Sequence, residues 1–107
     1  MRLTTVGRRT GQERTAIVGY FEDGPNLVTM AMNGWGAPEP AWWLNLQAHP
    51  EATVVLKSGI RRSVRGRAAT GEERDRLWAR WQETNAGLDG YANLRPGETA
   101  VVVLEPA

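Results

Sequence analysis

Three arginines, Arg8, Arg9 and Arg14, stand within seven residues near the start of the chain, among Gly7, Thr10 and Gly11. A guanidinium is a planar fork of donors that meets two oxygens of a phosphate or carboxylate at once. Glycines remove the bulk that would hold backbone N–H groups away from an anion. The run 7–14 therefore has the composition of a cradle for a polyanionic tail. The same composition suits a solvated basic turn, and spacing alone does not separate the two.

A second stretch worth weighing is 33–45. Two glycines and two prolines fall within 33–40, which marks a loop. It leads into a helix start, and helix N-termini attract anions. Trp42 and Trp43 flank that start, where flat rings serve equally as core or as cover for a planar ligand. Tyr91, in a glycine- and proline-rich loop, offers a hydroxyl. His49 falls at the end of the short helix, where a histidine gains from the dipole. Leu77, Trp78 and Trp81 make one apolar stripe that reads as core.

Much chemistry is excluded by what the chain lacks. It has no cysteine and one histidine, so thiolate sites, a cysteine nucleophile and a multi-histidine metal centre are ruled out, and no metal is expected. No G-x-S-x-G elbow and no phosphate-binding P-loop is found. With no reactive group built in, an enzyme of this composition needs a cofactor for the hard chemistry. A net charge of +1 gives no global field for nucleic acid. Arg61, Arg65 and Arg67 do line one face of a strand, but no aromatic interleaves them for base stacking. No apolar run approaches the ~20 residues of a membrane span, and the opening lacks a signal peptide's apolar stretch. A cytoplasmic location is the expectation.

The elements that must position these residues follow from periodicity. Short β-favouring runs occupy 3–6, 15–21, 27–32, 52–56, 60–69 and 100–104, with Asp23-Gly24 as a hairpin signal. In the 60–69 run Arg62, Val64, Gly66 and Ala68 share one face, and Arg61, Ser63, Arg65 and Arg67 share the other. Helices are expected over 41–48, straight after Pro40, and over 71–84, with Thr70 and Glu73 spaced as a capping box. At 107 residues this is one domain, 1–107: mainly β, about six antiparallel strands and two short helices. Closure into a barrel would remove exposed edges. An open α+β sheet has the same pattern.

Three motifs carry a resemblance. The run 3–15, LTTVGRRTGQERT, looks like the opening motif of the deazaflavin (F420)-dependent nitroreductase family, in the FMN-binding split β-barrel superfamily. So does Asn33-Gly34, and so does 40–51, PAWWLNLQAHPE, where the family reads P-x-W-[YW]-x-N-L-x-A-[NH]-P. The resemblance implies a split β-barrel that binds coenzyme F420 and passes hydride to a small acceptor: a quinone, a nitroaromatic or an activated enone. It implies that Arg8, Arg9, Thr10 and Arg14 hold the phosphate and oligoglutamate tail. Met30, Met32, Asn33 and Gly34 would meet the ring and phosphate, and Trp42 and Asn45 would line the same pocket. Tyr91 would stand on the substrate side as the catalytic candidate. Many relatives carry serine and lysine where this chain has Met32 and Asn33. With no helix ahead of the first strand, a surface is left for a second chain, so a homodimer is an expectation. FMN is the alternative cofactor, although its short phosphate tail does not call for three arginines. A barrel that binds a cofactor or lipophilic ligand without turnover is the third reading.

Overall fold

β-branched and aromatic residues set the strands, and glycines set the corners between them. The computed structural model describes residues 1–31, 40–84 and 100–107. In chain order the elements are β1 (Arg2–Val6), β2 (Glu13–Ile17), β3 (Phe21–Asp23), β4 (Asn26–Met30), α1 (Ala41–Ala48), β5 (Glu51–Val55), β6 (Arg61–Ala68), α2 (Gly71–Thr84) and β7 (Val101–Pro106).

Seven strands form where about six are expected, because the 15–21 run is divided. At the break, Val18 N–H donates to Met1 O at 3.0 Å, and Gly19 O accepts from Thr29 Oγ1 at 2.7 Å. Those bonds turn the chain into a corner instead of one long strand. The β3–β4 hairpin turns at Gly24, whose φ of +60° is the left-handed conformation that a II′ loop needs at its first position.

All pairings are antiparallel, in the order β2-β1-β5-β6-β7-β4-β3. The end strands β2 and β3 are joined by residues 18–20 alone. Four Cα steps reach at most about 14 Å. Seven flat strands at ~4.8 Å spacing would hold their edges about 29 Å apart. The sheet therefore rolls until its two edges approach, which is a split barrel.

The helices cover opposite faces of this rolled sheet. Trp42, Trp43 and Leu46 of α1 pack with Leu3, Val54, Val64, Val102 and Leu104. Leu77 of α2 packs with Val28, Val101 and Val103. Alternate residues of β7 thus meet different helices. That double burial explains why 101–104 is an unbroken apolar run and not an alternating one. Gly66 lets α1 come close: a Cβ there would lie 3.0 Å from Leu46 Cδ1.

Ion pairs tie α2 down. Glu73 takes both Arg67 guanidinium donors, so its carboxylate serves β6 and not the helix start that the capping-box spacing suggested. Arg76 forks onto Asp23 at 3.0 Å through both nitrogens, and Arg80 reaches the same carboxylate at 3.4 Å. On β6, Arg65 pairs with Glu51, and Arg67 pairs with Glu105 as well as Glu73. The basic strand face read from the sequence is therefore neutralised over this half. No helix among the described residues is long and apolar enough to cross a membrane.

Candidate cofactor site

The β1–β2 connection is held tightly by its own backbone. Gly7 N–H donates to Gln12 O at 2.7 Å, and Gly11 N–H donates to Gly7 O at 2.9 Å. Gly11 has φ +72°, which most side chains would strain to adopt. A Cβ on Gly7 would sit 3.0 Å from Gln12 O. Both glycines are thus required by the turn, which thrusts Arg8, Arg9 and Thr10 outward. Arg14 lies opposite Thr5 in the β1–β2 register, on the sheet face that α1 covers.

Helix α1 completes the site through one buried amide. Asn45 is 2% exposed. Its Oδ1 accepts from Arg8 N–H and from Arg8 Nη1, each at 3.1 Å. Its Nδ2 donates to Thr5 Oγ1 at 3.2 Å. Buried amides must find such partners, and here they fix the loop, the guanidinium and the helix to one another. The result is a cavity of about 260 Å³ lined by Gly7, Arg8, Arg9, Thr10, Arg14, Ala41 and Asn45.

Its electrostatics are one-sided. Among the described residues, no carboxylate forms an ion pair with Arg8, Arg9 or Arg14. The first turn of α1 holds no acidic residue and Pro40 supplies no side-chain cap, so nothing among the described residues of the helix neutralises its positive end. Three guanidiniums and a helix N-terminus converge on one hollow, an arrangement that takes anions. A larger hollow of about 310 Å³ lies on the opposite face of β1, β5 and β6. Thr4, Thr53 and Ser63 line it together with Glu13 and Glu51, whose charge repels an anion. Donor chemistry, not size, selects the arginine cavity.

Of the residues singled out in the sequence, the fold brings together Arg8, Arg9, Thr10, Arg14 and Asn45. Trp42 and Met30 do not join them. Trp42 faces the sheet in the core of α1, and Met30 is buried against Trp81 under α2. Met32, Asn33, Gly34 and Tyr91 lie outside the described residues. His49 ends α1 through its backbone N–H, which donates to Asn45 O at 2.8 Å, while the residue itself is exposed. Sequence reasoning missed Thr5 and Ala41. Thr5 gave one faint signal, as a hydroxyl at a position that alternation turns inward beside Leu3.

The family model described as F420H(2)-dependent quinone reductase matches residues 1–106. The chain belongs to the F420H(2)-dependent quinone reductase family. A putative F420H(2)-dependent quinone reductase of Mycobacterium tuberculosis is 30% identical over 99 residues, spanning 92% of this chain and 82% of that protein. A second F420H(2)-dependent quinone reductase from the same organism is 33% identical over 106 residues, spanning 95% and 70%. Among solved structures, an F420-H2 dependent reductase superposes with TM-score 0.84 at 23% identity, covering 97% of this chain and 91% of the other. Another, described as a domain-swapped dimer, gives 0.80 at 23%, covering 97% and 78%. The fold is that of these reductases. The family is one of oxidoreductases, and F420 is the cofactor its name carries.

Proposed function

We propose that this chain holds reduced F420 in the arginine cavity and passes its hydride to a quinone. The observation that carries the reading is the cavity's three guanidiniums, gathered by turn and helix with no carboxylate among the described residues paired to them. Their chemistry fits the cofactor that the family implies, whose tail combines a phosphate with glutamates. When bound, the reduced deazaflavin supplies the hydride. Arg9 and Arg14 would hold the tail, and Arg8 would add its charge from the position in which Asn45 fixes it. Thr10 adds a hydroxyl at the cavity wall. Holding a donor in one place converts much of the entropy of encounter into rate. Tyr91 is assigned the accompanying proton, and Met32, Asn33 and Gly34 the ring side. Nitroaromatics and activated enones are further acceptors of the same electronic kind.

FMN is the second cofactor reading. The rolled sheet suits the FMN-binding split β-barrel superfamily. A single short phosphate would leave arginines of the cradle idle, which favours F420. Residues 1–107 act as one cytoplasmic domain in this reading, and a homodimer is its assembly, to be checked by light scattering.

Turnover tests the function. The purified protein is mixed with F420H2 and a quinone, a nitroaromatic or an enone, and the return of oxidised F420 absorbance is followed. Quinone-dependent oxidation is expected. Stable F420H2 with all three acceptor classes would overturn the enzyme reading.

A further inference from the structure

The buried polar residues among the described ones are Thr5, Thr29 and Asn45. Thr29 is accounted for by the corner at Gly19, whose carbonyl accepts from its hydroxyl. The other two bond to each other, and the chain of bonds they begin ends on Arg8. Thr5 Oγ1 accepts from Asn45 Nδ2 at 3.2 Å, while Asn45 Oδ1 accepts from Arg8 N–H and from Arg8 Nη1, each at 3.1 Å. Thr5 is fully buried and does not line the arginine cavity. Any effect of its hydroxyl on that cavity passes through Asn45.

Strand β1 has no need of a hydroxyl at this position. Alternation sets Thr5 on the same face as Leu3, and their neighbours across the ladder on β5 are Ala52 and Val54. Valine would fill nearly the same volume and is equally at home in a strand. A buried hydroxyl costs free energy unless it is hydrogen-bonded, and the bond it makes here is to the Asn45 amide. That amide has its own demand. Arg8 offers it only donors, so Oδ1 must face the loop and Nδ2 must face the sheet. Thr5 supplies the acceptor that Nδ2 then requires. With valine in its place, Nδ2 would be buried without a partner. The amide would gain by turning away from the sheet, and its bonds to Arg8 would go with it.

We infer that Thr5 is a positioning residue: acting through Asn45, its hydroxyl holds Arg8 in place at the cradle before an anion arrives. Arg8 is exposed, and a long exposed side chain gives up rotamer freedom when it grips a ligand. The tether removes part of that freedom beforehand. Its effect on cofactor binding rests on the F420 reading above; the tether itself does not.

The test uses the whole chain as wild type, Thr5→Val and Thr5→Ser, with Tm to report folding and Thr5→Ala in reserve if the valine variant does not fold. Amide hydrogen exchange, followed by NMR, compares Arg8 N–H with Gly11 N–H, which bonds to Gly7 O within the same turn. Thr5→Val is expected to speed exchange at Arg8 at least about tenfold and to leave Gly11 near the wild type. Thr5→Ser, which keeps the hydroxyl, is expected to restore slow exchange. In titrations with oxidised F420, Thr5→Val is expected to lower affinity about fivefold, and Thr5→Ser to recover most of it. In an Arg8→Ala background the further loss is expected to shrink to about twofold or less. Unchanged exchange at Arg8, or equal acceleration at Arg8 and Gly11, overturns the inference. So does a loss of F420 affinity that is the same with and without the Arg8 side chain, which would mark Thr5 as packing alone. The exchange measurement needs no F420, so it decides on Thr5 even where the wild type fails to bind the cofactor and the reading above falls.

Discussion

Asn45 joins what the sequence keeps furthest apart. It reaches Thr5 forty positions away and Arg8 thirty-seven away, with 2% of its surface exposed. Asn45→Ala strands the Arg8 amide and the Thr5 hydroxyl, and is expected to lower stability by about 1–3 kcal/mol in urea unfolding. Asn45→Asp puts a carboxylate against Arg8 and cancels one of the cradle's charges, so calorimetry should show F420 affinity falling several-fold. The arginine cluster was visible in the sequence, but its composition suited a cradle and a solvated basic turn alike, and only the bonds from Arg8 to Asn45 tie it to another element. Asn45 was legible only through its motif, since no local pattern tells that an amide's partners lie in another element. Asp23 and Glu73 give the residue scale its pH dependence. The hydrogen bond from Arg76 chiefly holds the Asp23 carboxyl below its usual range, with Arg80 adding to it, and that from Arg67 does the same for Glu73. Their folded values lie below the unfolded ones. The stability they contribute is therefore present above the ordinary carboxylate range, about pH 4, and is lost as pH falls through the depressed values. A Tm series taken into acid should show that loss, and Asp23→Asn with Glu73→Gln should flatten it.

Elements were the most readable scale. The α1 span of 41–48 follows from the prolines on either side of it, and the β6 pleat from its alternation. The division of 15–21 was hidden, because Val18 and Tyr20 favour strand and only contacts with Met1 and Thr29 make the corner. How closely α1 lies on β6 was hidden as well. Gly66→Ala places a methyl 3.0 Å from Leu46 Cδ1 and 3.3 Å from Leu104 Cδ2. Overpacking of this kind costs about 1–3 kcal/mol. Because α1 also carries Asn45 and Ala41, the variant is expected to weaken F420 binding together with Tm. Leu77→Ala removes a fully buried anchor of α2 and should cost about 2–5 kcal/mol, while F420 affinity changes little, since α2 does not line the cradle.

At the scale of the whole molecule, three hairpins (β1–β2, β3–β4 and β5–β6) were foreseeable from short turns. The pairings β1–β5, β4–β7 and β6–β7 were not. They join stretches separated by helices or long connections, and the period-2 pattern of a strand does not name its neighbour. The three-residue link between the two edge strands is what forces the sheet to roll. Rolling in turn brings the β1–β2 turn under the start of α1 and makes a charged cavity from two distant motifs. Seating the F420 tail is the role proposed for this cavity. Its most direct test is titration of the protein with oxidised F420 and with FMN, followed by quenching of tryptophan emission, for the wild type and for Arg9→Ala with Arg14→Ala. Saturable binding of F420 is expected, with much weaker binding of FMN and a loss of F420 affinity of about a hundredfold in the double variant at unchanged Tm. Equal affinity for the two cofactors, or F420 binding that survives the loss of both arginines, would contradict it.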